Sequence, residues 1–223
     1  MLKLIKNIIY FILNMKTKTF YKMILTNDLI IRSALKKKLE NHHAKDKKVR
    51  IIEELGIRHG TVRIDFAVVN GIMHGYEIKS DRDTLQRLPE QMNEYNAVFD
   101  KLTLVVGKRH LYDAINLVPD WWGIMTAKID TNNEIIFHTI READDNRNQV
   151  GVSIARLLWR EEALQILEEY DQAGGVRSKP REFVYKRLAD VLETDMLKEK
   201  VRETLLVSRG DWRFGLLPIL NGG

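Results

Sequence analysis

The segment TVRIDFAVVNGIMHGYEIKS (61–80) constrains the fold of this chain more than any other stretch. Residues 61–69 are rich in β-branched and aromatic types, and residues 72–80 repeat that composition after Asn70-Gly71. An Asn-Gly dipeptide between two such runs is a strong short-range signal for a β-hairpin. We therefore predict two adjacent central strands of a sheet, joined by a tight turn.

Helical and strand-like patterns alternate around this hairpin up to about residue 148. Apolar residues recur at helical spacing from Asn27 to about Asn41, and further helices are predicted over 83–99 and 110–117. Strands are predicted, the last of them at a sheet edge, over 50–55, 61–69, 72–80, 101–107, 121–129 and 134–140. Because strands after the hairpin return through helical crossovers, the predicted fold class is α/β, a mixed β-sheet flanked by helices.

The character of the chain changes after about Asn148, where the strand-like patterns end. Three helices are predicted beyond it, over 153–170, 182–192 and 196–208. We therefore divide the chain into an N-terminal extension at 1–26, an α/β domain at 27–148 and a small all-helical module at 150–215. The basic turn of this module, 174–181, either holds the backbone of DNA without reading its bases or is simply solvated.

Positive charge is concentrated near the start of the chain. Residues 1–50 hold 13 Lys or Arg against three acids, while the whole chain has a net charge of +5. A nucleic acid would therefore meet a positively charged N-terminal segment beside a net acidic rest of the chain. The alternative is that these lysines are solvated and bind no partner. The chain contains no cysteine, which excludes disulfides and thiolate sites and fits a reducing, cytoplasmic location.

The first residues, MLKLIKNIIYFILNMK, form a cationic and apolar segment. Its uncharged run from Asn7 to Asn14 is far shorter than the roughly 20 residues that span a bilayer, so no stable membrane insertion is predicted. Three alternatives stay open for it: a poorly ordered or over-extended N-terminus with Met23 as the native start, a docked amphipathic helix, or membrane association.

Three charged residues of the hairpin form a candidate functional site. Glu77 and Lys79 are two residues apart on one strand, so they project from the same face, and Asp65 lies on the partner strand. Two carboxylates from adjacent strands suit Mg²⁺, for which Mn²⁺ could substitute, and a lysine beside them could orient a metal-bound water. The alternative is an exposed strand pair with salt bridges among the same side chains.

The register of the hairpin decides whether such a site can form. A two-residue turn at Asn70-Gly71 would place Asp65 and Glu77 on opposite faces of the sheet. The site therefore requires a three-residue loop with a glycine bulge at Gly71, or a bulge at Gly75.

The motifs GTVRID (60–65) and GYEIKSDRDTLQRLPEQMNEY (75–95) resemble the core of the PD-(D/E)XK nucleases, particularly a bacterial group with a helical tail, over about residues 28–130. This resemblance implies a restriction-endonuclease-like sheet in which Asp65, Glu77 and Lys79 are catalytic. It also implies that the two acids bind the metal ion. In this family a further carboxylate often joins the site, and Glu54 on the first strand is preferred over Glu53 for that role.

Other residues are predicted to support this site. Gln91 and Tyr95, four apart and on one helix face, resemble the QxxxY motif of exonuclease-like branches, whose residues support the active site or the nucleic-acid strand. Tyr95 packing in the core is the alternative. Arg63, Arg82 and Arg87 could hold phosphates because guanidinium suits bidentate phosphate contacts, although Arg87 could instead pair with Asp83.

The resemblance implies a Mg²⁺-dependent hydrolase that cleaves phosphodiester bonds of DNA in repair, recombination or defence against foreign DNA. RNA as the substrate and assembly as a homodimer stay open. The alternative function is a non-catalytic module on the same fold that binds nucleic acid or another protein.

Overall fold

The structure is a computed structural model that describes residues 25–208. Apart from its last two residues, the predicted N-terminal extension lies outside this range, and so does the end of the helical module. Between residues 25 and 208, no helix combines the length and the apolar character needed to cross a membrane.

A six-stranded mixed sheet forms the centre of the fold, and its spatial order is the order of the sequence. The first three strands pair antiparallel, the third to fifth pair parallel, and the sixth pairs antiparallel with the fifth at the sheet edge. The strands are β1 (Arg50–Ile57), β2 (Val62–Val69), β3 (Met73–Lys79), β4 (Lys101–Gly107), β5 (Gly123–Ile129) and β6 (Ile135–Arg141). The predicted mixed sheet and its edge strand are therefore confirmed.

Helices precede, connect and follow these strands. Asn27 caps the first of them, because its side-chain oxygen accepts a hydrogen bond from the Ile30 amide at 3.1 Å. A short 3₁₀ helix, Lys108–His110, directly follows β4. The α-helices are α1 (Asp28–His42), α2 (Leu88–Asn96), α3 (Leu111–Leu117), α4 (Gly151–Ala155), α5 (Arg160–Glu169), α6 (Arg181–Val191) and α7 (Thr194–Ser208).

The two faces of the sheet are covered differently. Helix α1 covers one face, and its buried Ile31, Leu35 and Leu39 pack with Phe66 and other apolar side chains of the sheet. A larger core on the other face includes residues of α2 and α3 and continues without interruption into α4–α7. The division into an α/β domain and a helical module stays a prediction, but the two parts share this core.

The first strand is also tied to the last helix by polar contacts. The Arg50 guanidinium donates hydrogen bonds to the carbonyl of Leu206 at 2.9 Å and to that of Leu205 at 3.4 Å. Lys198 of α7 forms an ion pair with the buried Asp100, just before β4, at 2.6 Å. The C-terminal helices are therefore attached to the sheet at several points.

The hairpin has the loop length that the sequence predicts. Val69 pairs with Met73, which leaves Asn70, Gly71 and Ile72 in the loop, and Asp65 and Glu77 fall on the same face. The predicted glycine bulges are wrong, because the pairing continues past Gly75 without a shift and Gly71 lacks the positive φ of a glycine bulge. Close packing explains that glycine, since a Cβ atom there would lie 2.4 Å from Ile64 Cδ1.

Two predicted helices have different boundaries in the structure. The helix expected over 83–99 begins only at Leu88, with Pro89 in its first turn, where a missing amide hydrogen costs nothing. The helix expected over 153–170 is broken into α4 and α5. At the break, Glu162 accepts a hydrogen bond from the Trp159 amide at 2.6 Å, which starts a new helix.

Candidate functional site

The predicted site lies in a cleft of about 760 Å³ at the carboxyl end of β3. At its floor lies a group of connected side chains from the start of α1, from β1 to β3 and from α2. We call this group the ion-paired cluster. The members of this cluster are Asp28, Arg32, Glu54, Asp65, Glu77, Lys79, Gln91 and Tyr95. The structure thus brings the predicted carboxylates, lysine, Gln and Tyr together, and adds Arg32, which the sequence analysis missed.

An irregularity in the pairing of β1 with β2 turns the carboxylates of Glu54 and Asp65 toward α1. Glu54 has a φ of 54°, and the ladder pairs Glu53 with Phe66 and Leu55 with Ile64 while leaving Glu54 and Asp65 unpaired. A residue of this type with positive φ costs energy, so neighbouring contacts must hold it in place. Glu54 lies at the cleft, as preferred, whereas Glu53 forms an ion pair with Lys36 at 2.7 Å.

Arg32 supplies the contacts that hold these carboxylates. Its guanidinium forms ion pairs with Glu54 at 2.6 Å, with Asp28 at 3.2 Å and with Asp65 at closer range. Although burial opposes its charge, the Asp65 and Asp28 carboxylates hold the pKa of Arg32 above its ordinary value. Arg32 therefore links α1 to β1 and β2.

Asp65 lies in an environment that favours its protonated form. Burial, together with the neighbouring Glu77 charge, raises the pKa of Asp65 to about 7, against the opposing effect of Arg32. Its second carboxylate oxygen accepts a hydrogen bond from the Ile78 amide at 2.6 Å.

Glu77 is held from the other side by β3 and α2. Its first carboxylate oxygen accepts from Lys79 Nζ at 2.5 Å, and its second accepts from the Tyr95 hydroxyl at 2.8 Å. Lys79 also donates to Gln91 Oε1 at 3.1 Å, and the Gln91 amide donates to the Tyr95 oxygen at 3.1 Å. Burial and the Glu77 charge raise the pKa of Tyr95 above its ordinary value, so its hydroxyl stays a donor.

This geometry does not present an open set of metal ligands. All four carboxylate oxygens of Asp65 and Glu77 accept from donors of the protein itself. Within residues 25–208, no three side chains of His, Asp or Glu are grouped so that they could hold a metal ion. The Mg²⁺ site stays a prediction.

Arginines line the same cleft near its rim. Arg63, Arg82 and Arg87, all predicted to hold phosphates, are exposed there. Arg87 does not pair with Asp83, whose carboxylate instead accepts from the Ser80 amide at 2.7 Å and the Ser80 hydroxyl at 2.6 Å. Those contacts also explain why the helix begins later than predicted, because they fold 80–83 into a turn.

A separate group of exposed cations lies at the end of α1 and in the turn after it. We call this group the basic end of α1, and it consists of Lys37, Lys38, Lys45, Lys47 and Lys48. In the described part of the chain, no ion pair involves any of these five ammonium groups. The sequence shows the excess charge of residues 1–50 but not which of these lysines would be exposed together.

Two comparisons with known proteins give the same family. Residues 22–209 match the family model of bacteriophage P4 protein cII. Protein cII of Enterobacteria phage P4 is 24% identical over 158 residues, which cover 71% of this chain and 57% of that relative. The chain thus spans little more than half the length of the relative, and no solved structure matches it significantly.

These matches correct the functional prediction. The family model that covers all of the described residues is that of cII and not that of a nuclease. The resemblance to PD-(D/E)XK nucleases, and with it the prediction of a DNA-cleaving hydrolase, is therefore wrong. Its motifs involve a few residues of one hairpin and helix, and in the structure the same charged side chains neutralise one another.

Proposed function

The chain belongs to the bacteriophage P4 protein cII family, and from that premise we propose that it is a non-catalytic nucleic-acid-binding protein. The observation that carries this proposal is the basic end of α1. Its five lysines are exposed and lie within 12 residues of one another in the chain.

Few carboxylates compete for these lysines. Asp46 lies among them, but its carboxylate is engaged by His43 Nδ1 at 2.7 Å. Glu40 is the other acid between Lys37 and Lys48. Clustered lysines attract the phosphate backbone without regard to sequence, and they release counterions when they bind it.

The ion-paired cluster supports a non-catalytic role. Its carboxylates are satisfied by protein donors, so the cluster serves to fix α1 on the sheet rather than to expose reactive groups. Because α1 begins at this cluster and ends in the lysines, the cluster fixes the direction in which the lysines point.

The first test measures binding to duplex DNA by fluorescence anisotropy over a range of salt concentrations. We expect Lys47→Gln/Lys48→Gln to weaken binding and to lower the slope of log K against log salt by about 2, because each phosphate contact contributes about 0.9. Lys128→Gln/Arg147→Gln removes two exposed charges that line neither the cleft nor the basic end of α1, and is the matched control. Equal losses in both variants would contradict the proposal.

A second measurement tests the non-catalytic part. Labelled DNA incubated with the wild-type protein and Mg²⁺ is expected to stay intact. Cleavage that disappears in Lys79→Ala would overturn this part, because Lys79 would then do more than pair with Glu77.

Several finer statements stay proposals. DNA is the proposed nucleic acid, with RNA as the alternative, and the proposed location is the cytoplasm. The three antiparallel strands followed by parallel ones support a restriction-endonuclease-like arrangement as a statement about the fold alone. Assembly as a homodimer stays open.

A further inference from the structure

A second cleft adjoins the ion-paired cluster. It has a volume of about 770 Å³ and lies where β3 and β4, two parallel neighbours, reach their carboxyl ends. In open α/β sheets, ligands commonly bind outside the carboxyl ends of parallel strands. The two clefts share the wall formed by Arg82, Asp83 and Thr84.

This shared wall is held firmly by buried hydrogen bonds. The Asp81 carboxylate accepts from the Thr26 amide at 2.9 Å, the Thr26 hydroxyl at 2.8 Å and the Arg109 amide at 2.9 Å. His110 Nε2 lies 3.0 Å from the Asp83 carbonyl oxygen. A Cβ atom at Gly107 would lie 2.4 Å from Asp81 Oδ1, so the glycine allows this close approach.

The cations of the second cleft are available to an anion. Arg82 and Arg109 line the cleft, and Lys108 lies next to Arg109 on the exposed 3₁₀ helix. Across the described chain, none of the three forms an ion pair, and the Arg109 side chain makes one long hydrogen bond, 3.5 Å, to the Asp81 carbonyl. Arginine is well suited to phosphate because its fork of donors matches the phosphate oxygens.

An aromatic ring stands beside these cations. Tyr112 lines the cleft from α3, and 79% of its surface is exposed, although Ala114 of the same helix is fully buried in the core. An exposed ring on a helix that is itself anchored offers a face on which a base can stack. Such stacking requires an unpaired base, because the faces of a paired base are covered by its neighbours in a duplex.

We propose that this second cleft binds single-stranded nucleic acid, with Arg82 and Arg109 on the phosphates and Tyr112 stacked against a base. The inference rests on the proposed function, and it adds a preference that the lysines cannot provide. The basic end of α1 attracts any phosphate backbone, whereas the second cleft distinguishes single strands from duplexes.

One acid in the cleft provides a test in the opposite direction. Asp81 and Asp83 are already engaged by protein donors, but Asp113 is exposed next to Tyr112 and no ion pair within residues 25–208 neutralises it. Its charge opposes a phosphate bound nearby. Asp113→Asn is therefore expected to tighten single-strand binding, whereas Tyr112→Ala is expected to weaken it.

The experiment compares a labelled oligothymidylate with a duplex of the same length by fluorescence anisotropy. We expect Tyr112→Ala to weaken binding of the single strand about tenfold and to leave duplex binding unchanged, because stacking is lost. Tyr112→Phe keeps the ring and is expected to bind as the wild type does. Ile115→Ala, a truncation of another exposed side chain on α3, is the control.

Two results would contradict the inference, and they differ in what they mean for the proposed function. If the duplex is bound but Tyr112→Ala leaves single-strand binding unchanged, this inference is overturned while the proposed function stands. If the wild type binds neither probe, the proposed function fails and the inference fails with it.

Discussion

The ion-paired cluster and the basic end of α1 lie at opposite ends of one helix and use charge in opposite ways. In the cluster, Arg32 contacts three carboxylates, and its side chain is only 20% exposed. At the other end, the lysines are exposed and form no ion pairs within the described residues. At one end of α1 each charged side chain therefore has an ionic partner within the protein, whereas at the other end the positive charge faces solvent.

The largest loss in the free energy of unfolding is expected when Arg32, which holds the carboxylates of the ion-paired cluster, is replaced. Arg32→Ala leaves the partly buried Glu54 and Asp65 close together without their partner, and the expected cost is about 3 kcal/mol, at the lower end of what breaking a buried pair on one side costs. Urea unfolding measures the loss in the free energy of unfolding. Adding Asp65→Asn to this variant should restore part of it, and no recovery would mean that Arg32 acts through packing instead.

Removing the hydroxyl of Tyr95 is expected to cause the next largest loss in the free energy of unfolding. Tyr95→Phe removes a core hydroxyl that lies 2.6 Å from the Arg63 carbonyl oxygen and 2.8 Å from the Glu77 carboxylate, and should lower the free energy of unfolding by about 2 kcal/mol. Tyr170→Phe serves as the control, because the hydroxyl it removes is exposed and, among residues 25–208, forms its hydrogen bond with the sulfur of Met196. A similar loss in both variants would show that the cluster is not specially dependent on its donors.

The stability of the cluster is expected to depend on pH through Asp65. Its pKa is raised from 3.8 to about 7, so the folded state binds a proton that the unfolded state has already released. The contribution of the protonated group is therefore fully present below about pH 4 and is lost as the pH rises toward 7. Chemical unfolding between pH 4 and 8 should show a decline that Asp65→Asn flattens, and equal slopes would contradict the assignment.

The smallest effect on stability is expected at the basic end of α1. Lys47→Gln/Lys48→Gln should change the free energy of unfolding by less than about 0.5 kcal/mol, because exposed charges without partners contribute little. Thermal melts at matched salt measure it. A large destabilisation would remove the contrast between the two ends of α1, and weaker DNA binding could then reflect unfolding.

The sequence predicts local features of the fold well. The requirement that Asp65 and Glu77 share a face leads to a three-residue hairpin loop, and the structure has one. The late start of α2 was missed because it depends on how the Asp83 side chain contacts Ser80, a choice that apolar periodicity does not reveal. Pro89, which would lie inside a helix over 83–99, in fact lies in the first turn of α2.

The site is harder to predict, because its decisive residue is remote in sequence. Arg32 is separated from Asp65 by 33 residues, and its spacing from Asp28 indicates only a surface pair on a helix. Without Arg32, the carboxylates and Lys79 look like a set that awaits a metal ion. The family match extends over residues 22–209 and so outweighs a motif that involves a few positions.

The hydrogen bonds from Arg50 to the carbonyls of Leu205 and Leu206 have a consequence for biosynthesis. The first strand of the sheet leaves the ribosome more than 150 residues before its partners in α7 are made. Until then, the large core face of the sheet lacks its cover from α4–α7. Folding is therefore expected to finish only after α7 has emerged from the ribosome. A nascent chain stalled before α4 should be sensitive to protease and prone to chaperone binding.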